Sequence, residues 1–327
     1  MKLTDEIRQL VLESTAATAV SRVTKVQSLW SGYGQICRVE LLGGPVDSVI
    51  VKHVAPPSKS VHPRGWSGDQ SHARKLRSYE VEAHWYANFS SLCNPRCRVP
   101  NCLATRFQQG EYLFVLEDLD AAGYSRRRSN LDHAGVRLGL KWLANFHARF
   151  LGVAPLGLWE VGTYWHLATR PDELAAMAPC ALKDAAAAID ARLNQCRYQT
   201  LVHGDAKVAN FCFSANSTEI AAVDFQYVGG GCGMKDVAYF LGSCLPESEC
   251  EQYAALFLDT YFAELGQAIA QRDPSIPIAE IESEWRFLYP FAWADFTRFM
   301  LGWCPSHTKL NAYTRRISEQ VARQIKR

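Results

Sequence analysis

The stretch His203-Gly204-Asp205-Ala206-Lys207-Val208-Ala209-Asn210 sets an Asp, a Lys and an Asn on one short loop. Asp224 follows Asn210 by fourteen positions, at the end of the apolar run 220–223. Phosphoryl transfer from a nucleotide uses this set of groups: a carboxylate for the proton of the attacking hydroxyl, a cation near the moving phosphoryl group, and an Asn and an Asp for Mg²⁺. In that chemistry Asp205 accepts the hydroxyl proton or orients the nucleophile. Lys207 offsets the charge developing on the γ-phosphate, and Asn210 and Asp224 offer hard oxygen ligands to Mg²⁺. His203 suits a bracing role through hydrogen bonds to the loop backbone. The competing reading is a charged surface turn. The strand-loop-strand context and the strand-borne Asp224 argue against it.

A nucleotide also needs a phosphate-contacting lysine. Val49-Ile50-Val51-Lys52-His53 is an apolar strand ending in Lys52. Alone, Lys52 reads as a solvated strand end; beside the 203–210 loop it reads as the phosphate contact. Such a lysine pairs with a Glu from a following helix. Glu80 and Glu82 both qualify, and being two apart they cannot share one helix face; Glu82 is the choice and Glu80 stays open. Gly32 and Gly34, in Ser31-Gly32-Tyr33-Gly34-Gln35, sit between two β runs, where a phosphate-covering loop or a plain hairpin turn fits equally. Glu117 and Leu119, in Val115-Leu116-Glu117-Asp118-Leu119, end a strand whose backbone groups can meet an adenine edge, while its acidic side chains fit solvent as well.

These residues need elements to hold them. Helical spacing covers 4–20, followed by β runs at 22–30, 35–42 and 48–54, with glycines and Pro45 supplying turns. Residues 56–68 read as a loop and 69–89 as a helix carrying both glutamates. Strands at 103–107 and 112–116 come next. Beyond Leu119 the chain turns helical: 131–150 and 181–196, then short strands at 200–202, 211–213 and 219–223 around the loop, then helices at 234–244, 247–270, 278–303 and 311–326. The expectation is an α+β chain with a β-rich N-terminal nucleotide-binding lobe over 1–117. A mainly helical catalytic and substrate-binding lobe over 118–327 follows, with 117–120 as the hinge.

A chain of 327 residues suits two lobes. Net charge +2 argues against a dedicated nucleic-acid or membrane-surface binder. No apolar run approaches the ~20 residues of a membrane helix, and the charged N-terminus lacks a signal-peptide core. A soluble, cytoplasmic protein is expected. Eleven cysteines scattered through apolar segments suit reduced thiols rather than a disulfide frame; the loose cluster Cys93, Cys97 and Cys102 lacks the ligand count and spacing of a zinc site.

The spacing His-x-Asp-x-Lys-x-x-Asn is similar to the protein-kinase catalytic loop, with Gly204 where those kinases carry Arg, and the strand ending in Lys52 is comparable to their Val-Ala-Ile-Lys strand. Taken together, Lys52, the helix segment Glu82-Ala83-His84-Trp85-Tyr86, Leu116-Glu117-Asp118-Leu119, the 203–210 loop, Val223-Asp224-Phe225-Gln226 and Asp236-Val237-Ala238 resemble the aminoglycoside phosphotransferase and choline kinase superfamily. Within it they most resemble the ecdysteroid-kinase-like branch and its bacterial relatives. The resemblance implies a bilobal protein-kinase-like fold, ATP with Mg²⁺, a small-molecule hydroxyl as acceptor, and Asp236 as a structural brace of the loop. The glycine loop departs from the pattern, and Lys207 stands where the family often carries another residue.

Two other functions compete. A protein Ser/Thr kinase needs an activation segment, and only eleven residues separate Asp224 from Asp236, with no Ala-Pro-Glu after them. A catalytically silent ligand-binding fold has no motivation, because every catalytic group is present. The aromatic helix 278–303 reads mainly as core. Trp293 and Asp295 are two apart and do not share a face, so no cationic acceptor is inferred. Arg126-Arg127-Arg128 reads as a solvated face or an anchor for an anionic acceptor.

Overall fold

The computed structural model describes residues 3–29, 32–56 and 68–326. Trp30 and Ser31, at the end of the first expected strand, and most of the expected loop 56–68 lie outside them. The chain forms two compact units: Met1–Asn94 with Arg98–Arg126 and Cys212–Val223, and Pro95–Cys97 with Arg127–Phe211 and Asp224–Arg327.

The first unit is built on an antiparallel five-stranded sheet of order β1-β2-β3-β5-β4, from β1 (Ala19–Ser28), β2 (Gly34–Leu42), β3 (Ser48–Val54), β4 (Cys102–Gln108) and β5 (Glu111–Glu117). Side chains alternate across a strand. Val49 and Val51 of β3 therefore join Val39, Leu113 and Val115 under Ile7 and Val11 of helix α1 (Asp5–Thr15), a buried apolar cluster. The alternation sends Lys52 to the other face, which helix α2 (Gly68–Asn88) serves. Helix α1 is shorter than the expected 4–20. Ala16 is left-handed at φ 53°, and the Thr18 N–H goes to the Leu42 carbonyl at 2.8 Å, so the sheet claims the chain before the helix can continue.

The second unit is mainly helical: α3 (His133–Phe150), α4 (Pro171–Ala176), α5 (Ala181–Asp184), α6 (Ala186–Asn194), α7 (Met234–Cys244), α8 (Glu247–Arg272), α9 (Ile278–Trp303) and α10 (Ala312–Ile325). Helix α3 packs on α8, and α9 packs on α4, α6, α7 and α10. The expected helix 181–196 breaks at Ala185 into α5 and α6. Most of the α9 aromatics are core, with Phe287 the exposed exception. Asp295, within that helix, takes the Trp165 indole N–H at 3.0 Å and Arg298 at 2.8 Å. Among the described residues four short strands remain: β6 (Thr200–Val202) and β9 (Gly229–Gly231) in the second unit, and β7 (Phe211–Phe213) and β8 (Ile220–Ala222), which pair with each other and fall almost wholly in the Cys212–Val223 segment of the first. Strand β6 pairs antiparallel with β9, which sequence reading missed.

Candidate active site

The 203–210 loop hangs from one carboxylate. Asp236, in the first turn of α7, accepts the N–H groups of His203 at 2.5 Å and Gly204 at 2.9 Å. His147 Nε2 lies 3.2 Å from the same oxygen that takes the His203 N–H, and its Nδ1 lies 2.8 Å from the Tyr261 hydroxyl. Gly204 has φ 78°, and a Cβ there would stand 2.0 Å from the Tyr227 carbonyl oxygen. A side chain at 204 is therefore strained and obstructed, which is the physical reason for glycine in place of the kinase arginine. The His203 ring faces inward against Phe225, and its Nδ1 accepts the Asp205 N–H at 3.2 Å.

Asp205 is 6% exposed and held from three sides. Lys207 Nζ donates to Oδ2 at 2.7 Å, Asn210 Nδ2 to the same oxygen at 3.0 Å, and the Tyr239 hydroxyl to Oδ1 at 3.2 Å. Burial pushes the Asp205 carboxyl above its ordinary value against the pull of Lys207, and the charge of Asp224 pushes it further. Burial works against the Lys207 ammonium, yet the Asp205 carboxylate keeps its pKa above the usual lysine value. Burial and the Asp205 charge hold the Tyr239 phenol far above its ordinary value, so it stays a donor at neutral pH. The turn Val208–Asn210 is fixed by Ser243, whose hydroxyl accepts the Val208 N–H at 3.0 Å.

The oxygen set fits a hard divalent cation. Asn210 Nδ2 is committed to Asp205 twice, through Oδ2 and through the backbone carbonyl at 2.8 Å, which leaves Oδ1 without a hydrogen bond among the described residues. Asp224 follows β8 with φ 70°, a left-handed conformation that costs a non-glycine residue energy and marks functional positions. An amide oxygen and a carboxylate are few ligands, as suits Mg²⁺, which completes its shell with phosphates and water.

In the first unit, Lys52 and Glu82 are 4% and 1% exposed, and Lys52 Nζ donates to both Glu82 carboxylate oxygens at 2.8 and 2.7 Å. The alternative Glu80 turns outward to Arg77. Lys52 also lies over the rings of Tyr79 and Phe114, its register partner on β5. Gly34 begins β2 at φ 135°, where a Cβ would collide with the His53 carbonyl at 2.0 Å, while a Cβ at Gly32, at φ 76°, would meet nothing within 4 Å among the described residues. Gly34 thus serves the hairpin. The Glu117 side chain is taken by Arg98 and the Asn101 N–H. Leu119 is buried, its carbonyl accepts the Tyr124 N–H at 2.7 Å, and its own N–H has no partner among the described residues.

Sequence reading passed over Tyr239 and Lys309. Tyr239 lies three residues after Asp236 on α7, so it shares that residue's face, and this spacing was available. Lys309 lies in the α9–α10 connection with its ammonium 5.0 Å from the Tyr239 ring centroid, a proximity that no local pattern announces.

The phosphotransferase enzyme family (APH) matches residues 40–274. Among solved structures, the chain is similar to the microcompartment-associated aminopropanol kinase (13% identity, 98% of this chain and 95% of that one, TM-score 0.48). It is also similar to choline kinase from Cryptosporidium parvum Iowa II (12%, 94% and 89%, TM-score 0.48). A third is the aminoglycoside-3'-phosphotransferase of type VIII (16%, 83% and 93%, TM-score 0.43). No curated protein matches the chain.

Proposed function

The chain belongs to the phosphotransferase enzyme family, and from that premise we propose that it is an ATP- and Mg²⁺-dependent small-molecule kinase that moves the γ-phosphoryl group to a hydroxyl. The observation that carries the reading is the convergence of Lys207, Asn210 and Tyr239 on the buried Asp205 carboxylate. Asp205 takes the hydroxyl proton as the acceptor oxygen attacks phosphorus. A carboxyl held above its ordinary value is the stronger base once ionised. Lys207, whose side chain is 39% exposed, is the loop cation able to exchange Asp205 for a phosphoryl oxygen as negative charge builds there. Asn210 Oδ1 and Asp224 would hold Mg²⁺, which would supply neutralisation of phosphate charge. Lys52, oriented by Glu82, contacts the nucleotide phosphates, Gly32 and Gly34 shape the loop over them, and Glu117 and Leu119 offer backbone groups to the base.

In this reading residues 1–117 are the nucleotide-binding lobe and 118–327 the catalytic and substrate-binding lobe, and the motif residues quoted above support a kinship with the ecdysteroid-kinase-like branch. No helix among the described residues is long and apolar enough to cross a membrane. The cytoplasmic assignment rests on ATP as co-substrate and on cysteines such as Cys37, Cys232 and Cys244 packed as buried free thiols. The test is ADP release with ATP, Mg²⁺ and a library of hydroxyl compounds, with casein beside them. Turnover of a small hydroxyl compound supports the reading; phosphorylation of casein alone moves it to a protein kinase; no ADP release with any acceptor overturns it.

A further inference from the structure

Around Asp205 one ammonium lacks a direct carboxylate partner among the described residues. Asp205 and Lys207 form a pair at 2.7 Å. Arg170, whose guanidinium lies over the Tyr164 ring, is matched by Glu173 at 3.0 Å. Asp224 is the carboxylate assigned to the metal. Lys309 has no such match. Its ammonium makes no hydrogen bond or ion pair among the described residues and lies 5.0 Å from the centroid of Tyr239 and 5.8 Å from that of Phe296. Tyr239 is the residue whose hydroxyl reaches Asp205. Lys309 is also held in place. Its N–H goes to His307 Nδ1 at 3.1 Å, its carbonyl accepts the Thr314 hydroxyl at 3.1 Å, and Leu310 beside it is buried in the cluster of Trp165, Phe296 and Phe299. Burial lowers the Lys309 pKa, with Asp205 opposing and Lys207 adding to the effect.

A half-buried cation without a partner is costly unless a ligand supplies the counter-charge. We propose that Lys309 is a specificity-determining residue that binds an anionic group on the acceptor, so that the compound phosphorylated at Asp205 is a hydroxyl-bearing acid rather than an amine. This rests on the phosphotransferase reading above. A polyamine or amino sugar would bring positive charge toward both Lys207 and Lys309. An acid gives Lys309 the partner it lacks and leaves the hydroxyl to Asp205.

The experiment uses the full chain with ATP and Mg²⁺ and two matched series: gluconate, glucose 6-phosphate, glucose and glucosamine, then glycerate, glycerol 3-phosphate, glycerol and 3-amino-1,2-propanediol. Wild type, Lys309→Met and Lys309→Arg are compared by ADP release, with Mg·ATP affinity measured in each. An anionic member should exceed its amine counterpart in kcat/KM by about tenfold or more, the scale of one charge-assisted hydrogen bond. Which anion leads separates carboxylate from phosphate recognition. Lys309→Met should erase that preference through KM while Mg·ATP affinity stays put, and Lys309→Arg should restore it. Preference for the amine or neutral member overturns the proposal. So does a ranking unchanged in Lys309→Met, or a Lys309→Met defect that appears in Mg·ATP affinity, which would make Lys309 a nucleotide contact. No turnover of any anion with Mg·ATP binding intact overturns this proposal and leaves the phosphotransferase reading standing; absence of Mg·ATP binding removes both.

Discussion

The Tyr239 hydroxyl lies 3.2 Å from Oδ1 of Asp205, so the candidate base is tied to helix α7 as well as to its own loop. A general base works only when ionised, and a carboxyl pKa raised by burial and by Asp224 moves the acid limb of kcat/KM above the usual carboxylate range. The Tyr239 donor favours the ionised form. Tyr239→Phe should move that limb to still higher pH and lower kcat by about threefold to tenfold, the scale of one neutral hydrogen bond. A pH–rate profile of the variant checks both.

Asp224→Asn should act with the opposite sign on the same limb. Removing the like charge beside Asp205 lets the limb move to lower pH, while the loss of a metal carboxylate raises the Mg²⁺ concentration needed for half-maximal activity. Magnesium titrations at several pH values separate the two effects. A limb that stays in place would show that Asp224 does not set the field at Asp205.

Gly204 is required by its backbone. At φ 78°, with a Cβ 2.0 Å from the Tyr227 carbonyl, Gly204→Ala should destabilise the fold by about 2 kcal/mol or more, because strain and obstruction act together. Gly204→Arg, which writes in the protein-kinase residue, should do no better. Chemical denaturation of the three proteins measures this.

The Lys52–Glu82 pair makes a coupled prediction. Lys52→Met and Glu82→Gln should each weaken Mg·ATP binding by about tenfold to a hundredfold, and the double variant should lose little more than the worse single one, because both act through one ammonium. Calorimetric titration gives the cycle. Full additivity would mean that Glu82 does not act through Lys52.

Much of this was legible where the signal is local. Strand β3 was read residue for residue because its alternating valines need a face. Helices α7 and α9 were read because their apolar residues recur with helical period. The loop was legible because its side chains are chemically improbable as a set. What escaped reading depends on residues distant in the chain. Strand β9 is three glycines with no side chain to reveal it, recognisable only through its partner Thr200–Val202. The end of α1 is decided by Leu42, which captures the Thr18 N–H from across the sheet. Lys309 reaches Tyr239 across seventy positions, and its lack of a direct ion pair among the described residues becomes visible only in the folded chain.

The most direct test of the account is Asp205→Asn, an isosteric change that removes the base and leaves the loop's shape. With an acceptor that the wild type turns over, kcat should fall by about 10²–10⁴ while Mg·ATP affinity stays within about twofold, since Asp205 is assigned to the acceptor hydroxyl and not to the nucleotide. An Asp205→Asn enzyme that keeps wild-type turnover would contradict the account at its centre.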